Sequence, residues 1–312
     1  MGNLTTLTTG DDTLMQSDIT DNSGLVIRSL AGNDIIVLDR TDDLGGGNDV
    51  DTASGKDTVI NHKEFGNLIT LGAGNDIYVG LGFGSFGSDP VDRVFAGAGN
   101  DTVAVQTFHS QYFGQAGNDI FHSVGWANTF NGGAGRDTIS YLPRIDDGTV
   151  GDTGVDVDLR AGIAQTGATR QERLVSIENV IGSDRSDRLL GSAGANQITG
   201  GKGFDVLTGR AGADAFVYNN PTEAPIDQSA ADVITDFNRA QGDRINLSGM
   251  DADVNLTGNQ AFRFINTGFT GHAGELRFEA GSVIGDVTGD GAGDFRIMVG
   301  TVTTLQAIDF IL

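Results

Sequence analysis

A glycine, any residue, then an aspartate followed by apolar residues returns many times along this chain. It occurs at Gly10-Asp11-Asp12, Gly32-Asn33-Asp34, Gly47-Asn48-Asp49, Gly55-Lys56-Asp57, Gly74-Asn75-Asp76, Gly99-Asn100-Asp101, Gly117-Asn118-Asp119 and Gly135-Arg136-Asp137. A second run places Asp187, Asn196, Asp205 and Asp214 nine residues apart. Two stretches, Gly132 to Ser140 and Gly200 to Thr208, fill the whole nonapeptide G-G-x-G-x-D-x-U-x, with U a large apolar residue. A nine-residue unit is too short to bury its own apolar side chain. It must stack on its neighbours, which predicts an all-β solenoid.

The spacing carries a chemistry. The first six residues make a turn in which glycines adopt backbone angles that other residues avoid, so successive carbonyls turn inward. The aspartate adds a hard anionic oxygen, and calcium takes six to eight oxygens. The last three residues form a short strand whose middle side chain points into the coil. Two nonapeptides make one coil, so residues 18 apart stack.

Asp101, Asp119 and Asp137 are one coil apart, while Ser110 and Asn128 hold the acid's place in the half-coils between them. Val103, Tyr112, Phe121, Phe130 and Ile139 keep the inward phase. Residues 96–140 are therefore expected to form a regular parallel β-helix with calcium on one edge. The expected ligands there are Gly97, Gly99, Asp101, Ala116, Gly117, Asp119, Gly133, Gly135 and Asp137. Over 182–217 both edges carry the motif, pairing Asp187 with Asp205 and Asn196 with Asp214, with Gly194, Gly201, Gly203 and Gly212 adding carbonyls. Asn196 keeps an oxygen but drops a charge, which predicts a weaker site. Residues 1–95 are less regular, with steps of 22, 15, 8 and 19 from Asp12 through Asp34, Asp49, Asp57 and Asp76. The inward position after Asp49 would fall on Asp51, which does not suit a core, so looped coils are expected, with Asp34, Asp49, Asp57 and Asp76 as their calcium ligands. Residues 141–181 lack the motif but hold alternating Val155, Val157 and Leu159 and the run Leu174–Ile177, a strand-rich spacer continuing the helix without metal.

Composition agrees. The chain's 312 residues include 48 glycines and 42 acids against 19 lysines and arginines, for a net charge of −23. So acidic a compact state repels itself unless cations belong to it. About eight calcium ions would offset roughly two-thirds of that charge. The same balance excludes nucleic acid as partner, since phosphate needs a basic face. Hydrophobic residues at 38 % exceed what a disordered acidic tail holds. There is no cysteine, so neither disulfides nor thiolate metal sites are possible. No apolar run is long enough to span a membrane, and Met1 to Gly10 does not read as a cleaved leader.

The nonapeptide at Gly132–Ser140 and Gly200–Thr208 resembles the RTX calcium-binding repeat. After residue 218 the nine-residue beat gives way to strand-like runs around Asp232–Phe237, Arg244–Leu247, Ala261–Phe264, Glu275–Phe278 and Phe295–Val299. Residues 218–312 are expected to cap the solenoid. They resemble the serralysin-type C-terminal domain in the Asp232–Phe237 run, in Gly268 to Leu276 and in the tail Asp309-Phe310-Ile311-Leu312. That resemblance implies an uncleaved C-terminal signal, the type I secretion machinery as partner, and an extracellular or cell-surface location. Asp286 and Asp290 resemble the start of an EF-hand loop, although Thr288 stands where an acid or amide is usual. A plain acidic turn is the alternative.

None of His62, His109, His122 and His272 lies in H-E-x-x-H, so the zinc site of serralysins does not carry over. His109, Tyr112 and His122 fall on neighbouring coils, where lyase or epimerase chemistry on a polysaccharide would need them together. No nucleophile motif accompanies them, and the chain reads as non-enzymatic. Phe83, Phe108 and Trp126 share one place in acid-free half-turns. They either pack those turns or form a contact surface for extracellular polysaccharide, with Phe108 and Trp126 in one column. The repeats begin almost at Met1, which favours a calcium-folded surface, matrix or adhesion component. The alternative is the export and folding module of a larger secreted hydrolase or polysaccharide-modifying enzyme.

Overall fold

The computed structural model describes residues 4–19, 24–39, 46–62, 65–82, 91–142, 154–300 and 302–312. Their regular structure is β-strand apart from three single-turn 3-10 helices. Two compact units are present, Met1–Ile145 with Gly162–Ile177, and Asp146–Ala161 with Glu178–Leu312.

In the first unit the chain winds between two parallel sheets. One stacks Leu4–Thr6, Val26–Arg28, Asp49–Asp51, Leu68–Ala73, Arg93–Ala98, Gln111–Ala116, Thr129–Ala134 and Arg170–Val175. The other stacks Thr13–Met15, Ile35–Leu38, Thr58–Asn61, Ile77–Gly80, Thr102–Val105, Ile120–Ser123 and Thr138–Ser140. Strands this short hold because each alternates one inward apolar residue with outward neighbours, and register brings the inward ones into columns. Ile27, Val50, Ile69, Val94, Tyr112 and Phe130 form one fully buried column. Ile36, Val59, Tyr78, Val103, Phe121 and Ile139 form the other.

The register moves one expectation. Val50 is inward, paired with Ile27 and Ile69, so Asn48 and not Asp49 holds the motif position of that half-coil. After Asp34 the next acid in phase is Asp57, because Ile36 pairs with Val59. The early coils are regular in phase and vary in length through their turns.

The expected spacer contributes to both units. Arg170–Val175 continues the first unit, with Leu174 beside Phe130, and folds back antiparallel on Ile163–Gly167. In the second unit Asp156–Asp158 leads a sheet followed by Arg188–Leu190, Val206–Thr208 and Val233–Ile234. The facing sheet runs Asn179–Ile181, Gln197–Thr199, Ala215–Val217, Arg244–Asn246 and Phe310–Ile311. Solenoid winding therefore passes residue 218: Ile234 pairs with Leu207 and Ile245 with Phe216. Longer connections hide this phase from a count of nines. The antiparallel strands Glu275–Glu279, Ser282–Asp286 and Phe295–Val299 complete the unit, the last of them pairing with Val233–Ile234.

Candidate metal centre

On one edge of the first unit the motif acids stand in a column, and each carboxylate reaches back one coil. The backbone N–H of Asp12 donates to Asp34 Oδ1, Asp34 N–H to Asp57, Asp57 to Asp76, Asp76 to Asp101, Asp101 to Asp119 and Asp119 to Asp137, all at 2.8–2.9 Å. One oxygen of each is thus used. The other, Oδ2 of Asp34, Asp57, Asp76, Asp101 and Asp119, is buried without a hydrogen-bond donor.

Buried anions with one donor each are electrostatically expensive. Burial, reinforced by the neighbouring carboxylates, pushes Asp76 up to about 7 and Asp119 up to about 6. Asp57 and Asp101 are also raised by burial. A cation at each turn would reverse this.

The turns leave room only for oxygen ligands. A side-chain carbon on Gly114 would overlap both Asp119 Oδ2 and the Gly132 carbonyl. At Gly99 (φ +134°) and Gly135 (φ +142°) it would overlap the carbonyl of Gly74 and Gly117, one coil away. Gly97 and Gly133 lie in register at the strand ends. The Ala116 carbonyl accepts from Gly99 N–H at 2.8 Å. Among the described residues no three His, Cys, Asp or Glu side chains converge. The donors on offer are therefore paired carboxylates and backbone carbonyls, a hard set that fits calcium and not a thiolate- or imidazole-seeking metal.

The second unit repeats the ladder on both edges. Asp187 N–H donates to Asp205 Oδ1 at 2.8 Å and Asp205 N–H to Asp232 at 2.9 Å. On the other edge Asn196 N–H donates to Asp214 at 2.8 Å and Asp214 N–H to Asp243 at 3.0 Å. Asp232 and Asp243 were missed in the sequence because their coils are longer. Oδ2 of Asp205, Asp214 and Asp232 again lacks a donor. Burial plus the charge of Asp232 pushes Asp205 up to about 9, and burial pushes Asp232 to about 7 and Asp214 to about 6. A side-chain carbon at Gly201 would meet the Ser183 carbonyl, one at Gly203 the Arg185 carbonyl, and one at Gly212 the Gly194 carbonyl.

Four expected ligands are placed differently. Asp49 is half-exposed and pairs with Arg28 at 2.9 Å. Asp187 accepts from Ser183 N–H and Oγ and from Val155 N–H, so its oxygens are occupied by the chain. Asp286 accepts from the N–H of Gly289 and Gly291, and Asp290 from Ala292 N–H. These two lie in the turn of the hairpin between Ser282–Asp286 and Phe295–Val299 and accept from its backbone. Asn196 Nδ2 donates to the Glu178 carbonyl at 2.6 Å.

The opposite edge of the first unit is chemically different. Asn48, Asn67, Asp92, Ser110 and Asn128 hold the motif position, and the N–H of Leu25, Asn48 and Ser110 donate to Oδ1 of Asn48, Asn67 and Asn128. At Asn67 and Asn128 the second atom is an N–H₂ that donates, Asn128 to the Thr107 carbonyl at 2.9 Å and Asn67 to Asp92 at 3.0 Å, while Asp92 Oδ2 accepts from Asn61. Phe108 and Trp126 form a parallel bridge on this edge with ring centres 4.7 Å apart. Phe83 lies outside the described residues. Tyr112 is buried and bonded to Thr107, His109 is exposed, and His122 lies on an outward face, so the three are not brought together.

Residues 166–312 match the serralysin C-terminal family of M10 peptidases. Residues 86–104 and 127–140 match the RTX calcium-binding nonapeptide repeat, described as four copies. No curated protein matches the chain. Among solved structures the chain is similar to the extracellular lipase LipA from Serratia marcescens, with a TM-score of 0.26 and 14 % identity, over 82 % of this chain and 45 % of that one. It thus spans less than half of that lipase's length.

Proposed function

Starting from a calcium-binding, type I secreted chain with RTX repeats and a serralysin-type C-terminal segment, we propose that calcium in the acid-edged turns switches it from an exportable coil to a folded solenoid. The observation that carries this reading is the column of buried Oδ2 atoms without donors at Asp34, Asp57, Asp76, Asp101 and Asp119. In the exporting cell, where calcium is scarce, these carboxylates repel and the glycine-rich chain stays open. Outside, the ion neutralises each rung, and its binding energy becomes folding energy. The C-terminal strand Phe310–Ile311 is paired with Ile245–Asn246 in the folded state, so the tail resembling an export signal is presented freely only before folding.

The reading extends to a non-enzymatic surface, matrix or adhesion component. Inward Tyr112, exposed His109 and outward His122 speak against lyase or epimerase chemistry by these three residues. Far-ultraviolet circular dichroism with calcium and with excess chelator tests the switch. A β spectrum is expected only with calcium, and a cooperative β fold in chelator would falsify it.

A further inference from the structure

Several cations of this acidic chain are held by carboxylates: Arg28 by Asp49, Arg188 by Asp156, Lys202 by Asp184, Arg210 by Asp158 and Arg263 by Glu275. Arg93, Arg170 and Arg173 differ. Among the described residues none of the three forms an ion pair, and the first unit sets Arg93 and Arg173 on one face and Arg170 at its edge.

Register places Arg93, Gln111, Thr129 and Arg173 in one outward column of the first sheet. The two arginines are three strand steps apart, about 14 Å. The next outward column is Phe95, Phe113, Asn131 and Val175. Phe95 and Phe113 stack with centres 4.7 Å apart and planes 8° from parallel, and the Arg93 guanidinium sits 5.4 Å from the Phe95 ring. On the adjoining edge the Arg170 guanidinium lies 5.3 Å from the ring of Trp126, which packs tilted against Phe108 with centres 4.7 Å apart. No acid stands in either column between the Arg93 and Arg173 coils, in a chain with net charge −23.

We propose that this strip binds an anionic polysaccharide, with sugar rings against the aromatic side chains and carboxylate or sulfate groups on the arginines. Solubility cannot explain the arrangement, since acids already supply charge in excess. Arginine, unlike lysine, offers a planar fork that takes an oxyanion through two hydrogen bonds. Half-buried aromatics beside it supply apolar area with little ordering cost. Single-stranded nucleic acid would also stack and pair, but its close-set phosphates would meet strong repulsion from the rest of so acidic a chain. This strip deepens the adhesion reading by naming a ligand class, and it rests on that reading only for where the polymer is met.

The test measures binding of the full chain to immobilised polygalacturonate, dextran and oligothymidylate, at one buffered free-calcium level. Polygalacturonate is expected to bind, more weakly as sodium chloride rises, and dextran not to. Arg93→Glu with Arg173→Glu should weaken binding by at least about tenfold, and Trp126→Ala several-fold. Arg188→Ala, which removes a paired surface cation, should leave it unchanged. The salt dependence of the unaltered chain keeps the test decisive if the double variant misfolds. Preference for oligothymidylate, or full binding by a folded double variant as calcium bridging would give, overturns the proposal. If calcium folds the chain and no polysaccharide binds, this inference falls while the folding switch stands. If calcium does not fold it, the switch falls.

Discussion

The two edges of the first unit share one backbone geometry, and where Asn48, Asn67 and Asn128 stand in the acid's place they differ in one atom per rung. On both, the motif side chain accepts a backbone N–H from the coil before it, as at Asp119 with Asp101 and at Asn128 with Ser110. On the amide edge the second atom donates, so Asn128 satisfies the Thr107 carbonyl and the rung closes on protein alone. On the acid edge the second atom is a buried anionic acceptor without a donor. The difference teaches that a nonapeptide turn needs no ion for its shape. On the proposed reading it needs one only where an acid's second oxygen has no donor, unlike Asp92, whose oxygens accept from Asn67 and Asn61.

Exchanging the two chemistries should break this pattern. The largest effect is expected from Asn128→Asp, which loses the bond to Thr107 and sets a carboxylate against Glu172 Oε1, now 3.3 Å from the amide nitrogen. A loss of about 3–5 kcal/mol is expected with no gain in bound calcium, read by urea unfolding and by ion counting in native mass spectrometry. Gly99→Ala comes next, because its methyl group would strike the Gly74 carbonyl at a left-handed backbone position. It should cost about 3 kcal/mol or abolish folding.

The reverse exchange, Asp119→Asn, should act in opposite directions in two buffers. With calcium it removes an ion ligand and lowers the unfolding midpoint. In chelator it deletes a buried charge and should stabilise residual structure by about 2–3 kcal/mol at pH 8. A destabilisation in both buffers would contradict the two-edge account.

The pH dependence sharpens the same comparison. Burial raises the folded-state carboxyls above the ordinary value near 3.8, to about 6 for Asp119, about 7 for Asp76 and Asp232, and about 9 for Asp205. The metal-free fold therefore holds protons more tightly than the unfolded chain. Its stability is greatest below the ordinary carboxylate range and is lost as pH rises through these values. With calcium present the trend inverts: ion affinity falls as pH drops from 8 to 5, and binding at neutral pH releases protons. Titration calorimetry in buffers of different ionisation enthalpy reads the release. The smallest effect should come from Arg188→Ala, whose exposed pair with Asp156 is worth less than about 1 kcal/mol.

Much of this was legible in the sequence because the solenoid's period is written in glycine, acid and apolar positions. The columns through Val103, Phe121 and Ile139, and the acids Asp101, Asp119 and Asp137, follow from counting eighteens. Counting failed where turns change length. Asp49 follows a glycine and one other residue, yet the side chain that stacks belongs to Asn48, and only register across three strands separates them. Asp232 and Asp243 escaped because their coils carry long connections. By sequence Ser110 and Asn128 stand in half-coils that lack the acid, whereas in the structure Asn128 keeps the motif's hydrogen bonding in neutral form. An asparagine at the acid's place, as at Asn67 and Asn128, brings its own N–H₂ donor to the rung.

Anomalous diffraction from crystals grown in calcium tests the central claim most directly. The account predicts calcium peaks in the turns beside Asp101, Asp119 and Asp137 and none beside Asn48, Asn67 and Asn128. Empty acid-edge turns at millimolar calcium, or equal peaks on both edges, would contradict it.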